Sequence, residues 1–585
     1  MPLDGQVLSR DIWIEIATFL TYGDLLSVRS CSTWLNKVIT SDEVWRPICE
    51  QRWLKNDYKV FANYRKRAET NGFKCLFDFF KYRNHIDETI VKTLRKLGQG
   101  DDDIRHYWDS FRSLMDYGDL IMPLLTENSR NGYTGTHGAH GPHNESFEFT
   151  FLANQLLTAM QHGLVFDLIN CCSGDATTLE WVHYAEETVF LPFSALDLSF
   201  NLLLPHRSSC FNEVNDALHQ SFKNWSEFKS LPSTLKVDRV MKHLFQVLTN
   251  RRNPQWDSLS RFYLDDFFLL RVYAGEARGH PLVLLAIIQA FASFYGIEAI
   301  LCEEFLIVRD EKVRSGQTYI TVSQAGRPRI FTQKGLIESM CRIFPSRQAV
   351  LNTVIPRLCQ PLKTKSLLTK LFDEWYPYCK KSYWKALPGR RCDLLSKAMP
   401  HSLTPASPAV YEYAQAYWKI NQLPPHPSFR AVGKARFASY ILEQFPHDYP
   451  LLQSLKFISD SQLPKVPKDI KVKLFSTKYL ITEGSIEDTG KFAIDSRNEQ
   501  QSYIVIATKN SENGNTYYML LDFLGEIIVS LKEDFRLADK TTSDAIWHKM
   551  RQYLNFSDLG LFFTRYDQTK CRLVPSNSYA EYLKA

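Results

Sequence analysis

Residues 8–49 read LSRDIWIEIATFLTYGDLLSVRSCSTWLNKVITSDEVWRPIC, and the spacing of their apolar side chains decides how the rest of the chain is organised. Ile12, Ile16, Phe19 and Leu20 recur at i, i+4, i+7 and i+8, which lines them along one stripe of a helix. Tyr22-Gly23-Asp24 is expected to break that helix, with Asp24 capping a second one that carries Leu25, Leu26, Val28 and Cys31. A third turn brings Trp34, Leu35, Val38, Val44 and Trp45. A stretch of about forty residues rarely encloses a core of its own. Part of this apolar surface is therefore expected to meet a partner.

The succession Leu8, Asp11, Asp24, Trp34, Trp45 resembles the F-box, with the family's opening leucine, acidic group, turn aspartate and two tryptophans. The resemblance implies docking on the Skp adaptor of SCF-type, cullin–RING ubiquitin ligases. It implies an adaptor-binding set of Leu8, Ile12, Ile16, Leu20, Leu25, Leu26, Trp34, Leu35 and Trp45. The family usually has proline after the first leucine, where this chain has Ser9. Without the resemblance, the same stripes would describe a three-helix subdomain folded back on the rest of the chain.

A chain of 585 residues has room for three or four domains, each with its own core. The net charge of +6, spread over that length, leaves no basic footprint for nucleic acid or a membrane surface, so proteins are the expected partners. The 12 cysteines are scattered without a C-x-x-C pair, and only Cys171 and Cys172 are adjacent. That usage fits a reducing compartment, and the expected locations are cytoplasmic, nuclear or endosome-associated. MPLDGQVLSRD lacks the basic and apolar regions of a signal peptide. The most membrane-like run, PLVLLAIIQAFASFYGIEAILC at 281–302, is divided by Gln289, Ser293, Gly296 and Glu298 into an expected helix and strand. No G-x-x-x-x-G-K-[ST] motif is present, and no cofactor is expected.

Taken in order, the domains are expected at 1–50, a helical connector at 51–128, an α+β domain at 147–345, a helical region at 346–465 and a small β-rich domain at 466–585. In the connector, Ile86, Ile90, Val91 and Leu94 make a helical stripe flanked by Lys92, Arg95 and Lys96. Residues 129–145 are glycine-rich and hold His137, His140 and His143; no element fixes them, so a surface loop is expected rather than zinc. The helices LLTKLFDEWYPYCKKSYW and AVYEYAQAYWKINQL carry aromatic stripes of the kind that form cores. After residue 466, SYIVIAT and TYYMLLDF flank Asn513-Gly514-Asn515, which is hairpin chemistry because asparagine and glycine tolerate positive φ.

Gly279-His280-Pro281 opens the run at 281–294 and resembles the turn at the start of the central helix in SirB-type transglutaminase-like domains. Catalytic members of that family use a cysteine, a histidine and an aspartate. In this chain Pro281, Glu304 and Thr321 align with them, so the resemblance implies a domain without catalysis. Phe562-Phe563, Arg565-Tyr566-Asp567 and Leu573-Val574-Pro575 resemble the end of the YccV/HspQ-like domain. Basic and acidic side chains balance across 466–585, against phosphate contacts. The three modules in this order resemble F-box only proteins of that layout and a fungal F-box-like repressor of a Rab-type GTPase. They imply a mostly α, multidomain, non-enzymatic receptor that recruits a protein target for ubiquitination. The alternative is a Skp-bound protein that works without the cullin and sequesters a partner such as a Rab-type small GTPase in vesicle trafficking.

Overall fold

The computed structural model describes residues 8–49, 75–99, 104–122, 146–173, 184–194, 200–222, 224–252, 264–309, 317–323, 326–344, 346–364, 366–371, 427–444, 446–454, 485–511, 513–522, 527–550 and 556–584. It also describes Phe73, Leu124, Leu125, Asp197, Asp373 and Glu374. The histidine-bearing loop at 129–145, the second aromatic stripe and most of the first lie outside the described residues. The chain is mostly helical with smaller sheets and forms two compact units. One gathers Met1–Leu54, Ala62–Met160 and Leu423–Ala585; the other gathers Lys55–Phe61 and Gln161–Gln422. The segments expected from sequence at 1–50, 51–128 and 466–585 thus fall, nearly whole, in one unit.

That unit begins with four short helices, α1 (Arg10–Ala17), α2 (Tyr22–Cys31), α3 (Thr33–Ile39) and α4 (Asp42–Cys49). Three are started by hydroxyl caps: the Oγ of Ser9 accepts from the Ile12 N–H, Thr21 caps α2, and the Oγ of Ser32 accepts from the Leu35 N–H. The expected break at Tyr22-Gly23-Asp24 is instead the first turn of α2. The Asp24 N–H donates to Thr21 Oγ1 at 3.2 Å and the Thr21 N–H donates to Asp24 Oδ2 at 3.1 Å, a reciprocal capping box that places the cap three residues before Asp24. Asp24 is therefore the third helical residue and not the cap.

Helix α5 (Leu76–Gln99) closes the core that these four helices cannot complete alone. The side chain of Asp42 accepts the Leu76 N–H at 2.8 Å, fixing where α5 begins. Phe77 and Phe80 then pack on Trp45, with ring centroids at 5.0 and 4.6 Å. Further along α5, Ile86, Ile90 and Leu94 are buried while Lys92, Arg95 and Lys96 face water, the amphipathic split that the sequence predicts. Helix α6 (Ile104–Met115) and the start of α7 (Phe147–Ser173) continue the unit.

In the second unit, α8 (Phe200–Ser221), α9 (Trp225–Ser230), α10 (Ser233–Arg251) and α11 (Leu269–Ala274) surround α12 (Pro281–Phe294). His280 caps α12, and Pro281 occupies its first turn, where its missing N–H has no helical acceptor to lose. Gly279 has φ 89°, and a Cβ there would lie 2.9 Å from Leu284 Cδ2, so the turn requires glycine. Ten residues of α12 are buried, yet its polar interruption is satisfied. The Gln289 amide donates to the Ala299 carbonyl at 3.0 Å and accepts the Ala185 N–H at 3.2 Å. Gly296, at φ 70°, follows the helix and precedes β1 (Ala299–Leu301). Strands β1, β2 (Leu306–Arg309), β3 (Gln317–Val322) and β4 (Pro328–Thr332) pair antiparallel in that order, and α12 packs on β1 and β3. Helix α13 (Gln333–Cys341) follows β4.

The chain then returns to the first unit through α14 (Pro427–Gln444) and α15 (Tyr449–Ser454). Tyr449 stacks on Trp108 of α6 at 3.9 Å, and His447 Nε2 lies 2.8 Å from the Tyr107 hydroxyl. A five-stranded antiparallel sheet follows: β5 (Phe492–Asp495), β6 (Ser502–Asn510), β7 (Thr516–Leu521), β8 (Ile527–Leu531) and β9 (Phe535–Leu537), in the order β8-β7-β6-β5-β9. The β6–β7 hairpin turns through Asn513-Gly514-Asn515 as the sequence predicts, with Gly514 at φ 81° and the Ser511 N–H donating to the Asn515 carbonyl. Beyond the sheet the segment is less β-rich than expected. Helices α16 (Lys540–Met550), α17 (Phe556–Phe562) and α18 (Asn577–Lys584) frame a final hairpin, β10 (Phe563–Asp567) with β11 (Arg572–Pro575). A Cβ at Gly560 would lie 1.8 Å from the Phe147 carbonyl oxygen, so α17 meets α7 backbone to backbone.

Candidate functional site

The N-terminal helices sort their apolar side chains into two sets. Trp45 is completely buried, its indole N–H donating to the Ile39 carbonyl and its rings held by Tyr22, Phe77 and Phe80. Leu25 is buried as well, with Val38, Ile39, Val44 and Cys49. The sequence reading assigns Leu25 and Trp45 to the adaptor-binding set; the structure puts both in the core, and for Trp45 it is α5 that supplies the cover. The second set faces outward. Phe19 is 83% exposed, Ile12 46%, Leu8 42% and Trp34 38%. Ile16, Leu20, Leu26 and Leu35 are half-buried.

These exposed groups are concentrated within 27 residues, from Leu8 to Trp34. Isolated exposed apolar residues are ordinary on protein surfaces; several aromatic and branched groups left exposed in one short stretch make that stretch a candidate contact surface. Phe19 lies in the turn after α1, outside the helical stripe, and its place is legible in the sequence only as part of the i+7 spacing. The hydroxyl of Ser9 caps α1. Arg10 forms an ion pair with Glu43 and ties α1 to α4, a link between exposed groups that adds little stability.

The second candidate lies at the positions aligned with a catalytic triad. Pro281 is in the first turn of α12, Glu304 is exposed in the loop between β1 and β2, and Thr321 is on β3 opposite Arg329. A row of charged groups joins the surroundings of the first two. His280 Nε2 lies 3.0 Å from Glu374, and the Lys370 ammonium reaches Glu374 at 3.7 Å and Glu304 at 3.3 Å. Burial raises the pKa of Glu374, but hydrogen bonds and charge from His280 and Lys370 outweigh it and hold the carboxyl below its ordinary range. Thr321 takes no part in this row. A cleft of about 780 Å³, lined among others by Glu303, Glu304, Lys370 and Glu374, opens beside it. In the sequence His280 is visible only as part of a turn and its partner is not, since Lys370 and Glu374 come from a segment about ninety positions away.

Cys302, the nearest thiol in sequence, is buried and bonded elsewhere. Its Sγ donates to the Cys359 carbonyl at 3.2 Å, and burial, followed by the neighbouring Cys359, pushes its pKa up to about 12. Such a shift leaves a thiolate fraction at neutral pH about a thousandfold below that of an ordinary thiol. With N-ethylmaleimide at neutral pH, exposed Cys31 should therefore label readily and Cys302 only after unfolding. Labelling of Cys302 in the folded chain at the rate of Cys31 would show that the thiol is activated.

Among the described residues no group of three histidine, cysteine or acidic side chains could hold a metal ion, and no helix is long and apolar enough to cross a membrane. The chain is similar over nearly its whole length to mitochondrial distribution and morphology protein 30 of Saccharomyces cerevisiae. The two are 25% identical, over 98% of this chain and 94% of the yeast protein. No family profile and no solved structure matches the chain.

Proposed function

We propose that this chain is an F-box substrate receptor: the surface around Ile12, Phe19 and Trp34 docks on a Skp adaptor, and the remainder holds a protein target for ubiquitin transfer by an SCF-type ligase. The observation that carries the proposal is the division of the N-terminal helices, with Leu25 buried and Trp45 folded inward against α5 while Leu8, Ile12, Phe19 and Trp34 are left exposed. In this reading the chain itself does no chemistry, since Pro281, Glu304 and Thr321 supply neither a thiol, an imidazole nor a carboxylate in the roles a thiol-based triad needs. The similarity to a protein named for mitochondrial distribution and morphology supports a reading in which the target is a protein that governs where mitochondria lie or what shape they take.

The test must separate a ligase receptor from a protein that acts by occupancy alone, such as one sequestering a Rab-type small GTPase. Deleting residues 1–50 would strip Trp45 from Phe77 and Phe80 and confound the outcome. The double variant Ile12→Ala, Phe19→Ala leaves that core in place. In a cycloheximide chase of the tightest partner recovered by pulldown, the variant should lengthen the partner's half-life while binding it as before. Equal decay with the intact chain and the variant would reject the receptor reading, because a sequestering protein changes the bound fraction through concentration and affinity and not through turnover.

A further inference from the structure

The second unit carries a small aromatic pocket at the C-terminal end of α12, sharing no lining residue with the cleft beside Glu304 and Lys370. Helix α9 is short and begins at Asn224, whose side chain accepts the Ser226 N–H; it delivers Trp225 and Phe228 to the end of α12. There Tyr295 meets Trp225 and Phe228 edge-on, at 6.2 and 5.5 Å, and Phe294 stands perpendicular to Tyr295 at 5.0 Å. His219 of α8 stacks on Trp225 at 3.9 Å. These rings enclose a cavity of about 280 Å³, below the usual size of a small-molecule site and suited to one large side chain. Asn215, Lys229 and Lys236 complete its lining. Neither lysine is paired with a carboxylate among the described residues, and Glu227, on the same short helix as Lys229, is not part of the lining. Phe294 is 61% exposed at the mouth, although it is among the largest apolar groups of its helix.

We propose that this pocket binds a linear segment of a partner protein, taking one aromatic or branched aliphatic side chain between Trp225, Phe228, Phe294 and Tyr295 and a neighbouring acidic residue against Lys229 and Lys236. The apolar walls set the anchor, since a side chain seated in the cavity meets their open faces and edges, and an aromatic one can do so at the centroid distances of about 4.5–7 Å that aromatic pairs prefer. The unpaired ammonium groups set the flank, because they attract a carboxylate and repel a lysine or arginine beside the anchor. A concave pocket fits a single inserted side chain better than it fits a bilayer, which is met by protruding apolar groups. The inference rests on the receptor reading and deepens it by giving the chemistry of the segment that is held.

The test uses the full chain and fluorescein-labelled nonapeptides with a central phenylalanine flanked by aspartate and glutamate. Companion peptides carry alanine at the centre or lysine in the flanks. Fluorescence anisotropy should show the acidic phenylalanine peptide binding about tenfold or more tightly than either companion. Phe294→Ser, at an exposed position that leaves the core intact, should erase the preference for phenylalanine over alanine. Lys229→Glu with Lys236→Glu should invert the flank preference toward lysine, an outcome that a misfolded variant cannot produce. Equal binding of the phenylalanine and alanine peptides, or an unchanged flank preference in the double variant, would overturn the proposal. So would binding to phosphatidylcholine–phosphatidylserine vesicles, sensitive to the same substitutions, with no peptide bound. No adaptor is present in this assay, so its failure leaves the F-box reading standing, and loss of adaptor co-purification leaves the pocket standing.

Discussion

Replacing Ile12 and Phe19 with alanine is expected to abolish co-purification of the Skp adaptor while the chain keeps its melting temperature. Phe19 is largely in water and Ile12 nearly half exposed, so truncating them removes little from the fold compared with a buried group. Central aromatic and aliphatic anchors of an interface lose on the order of 2 kcal/mol each on truncation to alanine, about thirtyfold in affinity. Neighbouring anchors do not add strictly, so the double variant is expected to weaken adaptor binding by at least about a hundredfold. Ile16 belongs to the same helical stripe but sits closer to the body of the helix cluster, so its truncation would mix a fold effect with a binding effect. Phe19 has no such ambiguity. Pulldown with tagged adaptor, paired with thermal melting of both chains, reads the two quantities separately. An adaptor retained at wild-type level by a folded double variant would remove the basis for an F-box at this face.

What is legible in the sequence is mostly local. Pro281 and Gly296 bound α12 because their backbone properties act on the residues that carry them, and Asn513-Gly514-Asn515 makes its hairpin for the same reason. The capping box at Thr21 and Asp24 is equally local, yet a reading that gives the break to glycine overlooks the threonine three residues upstream of the aspartate. Leu25 and Trp45 are not legible in this way. Helical spacing says that a face is apolar and nothing about whether its cover comes from a partner or from Phe77 and Phe80 further along the same chain. The same limit explains why segments hundreds of residues apart share one unit: Trp108 on Tyr449 and Phe147 by Trp547 are pairings that no periodicity announces. Lys229 and Lys236 are invisible as a binding feature for a related reason, because isolated lysines acquire meaning only beside Trp225 and Tyr295.

Trp45→Ala is expected to have the opposite signature to the Ile12 and Phe19 variant, losing the fold of residues 8–49 first and adaptor binding only in consequence. The indole fills the space between Tyr22, Phe77 and Phe80, and removing a fully buried tryptophan costs about 3–5 kcal/mol through lost burial and the cavity left behind. The Ile39 carbonyl would also lose its donor, adding about 1 kcal/mol or more. Together these approach the whole stability of a typical domain, about 5–15 kcal/mol. Limited proteolysis should therefore cut the variant within residues 8–49 under conditions that leave the wild type intact, and amide exchange along α2 to α4 should accelerate. Trp45→Phe gives the internal comparison. It keeps a ring against Phe77 and Phe80 but removes the N–H donor, so it should lose less stability than alanine and retain adaptor binding. If Trp45→Ala instead abolished adaptor binding while proteolysis and exchange of 8–49 stayed at wild-type values, Trp45 would have to act at the contact itself. The inward placement of this side chain, and with it the division between core and docking face, would then be wrong.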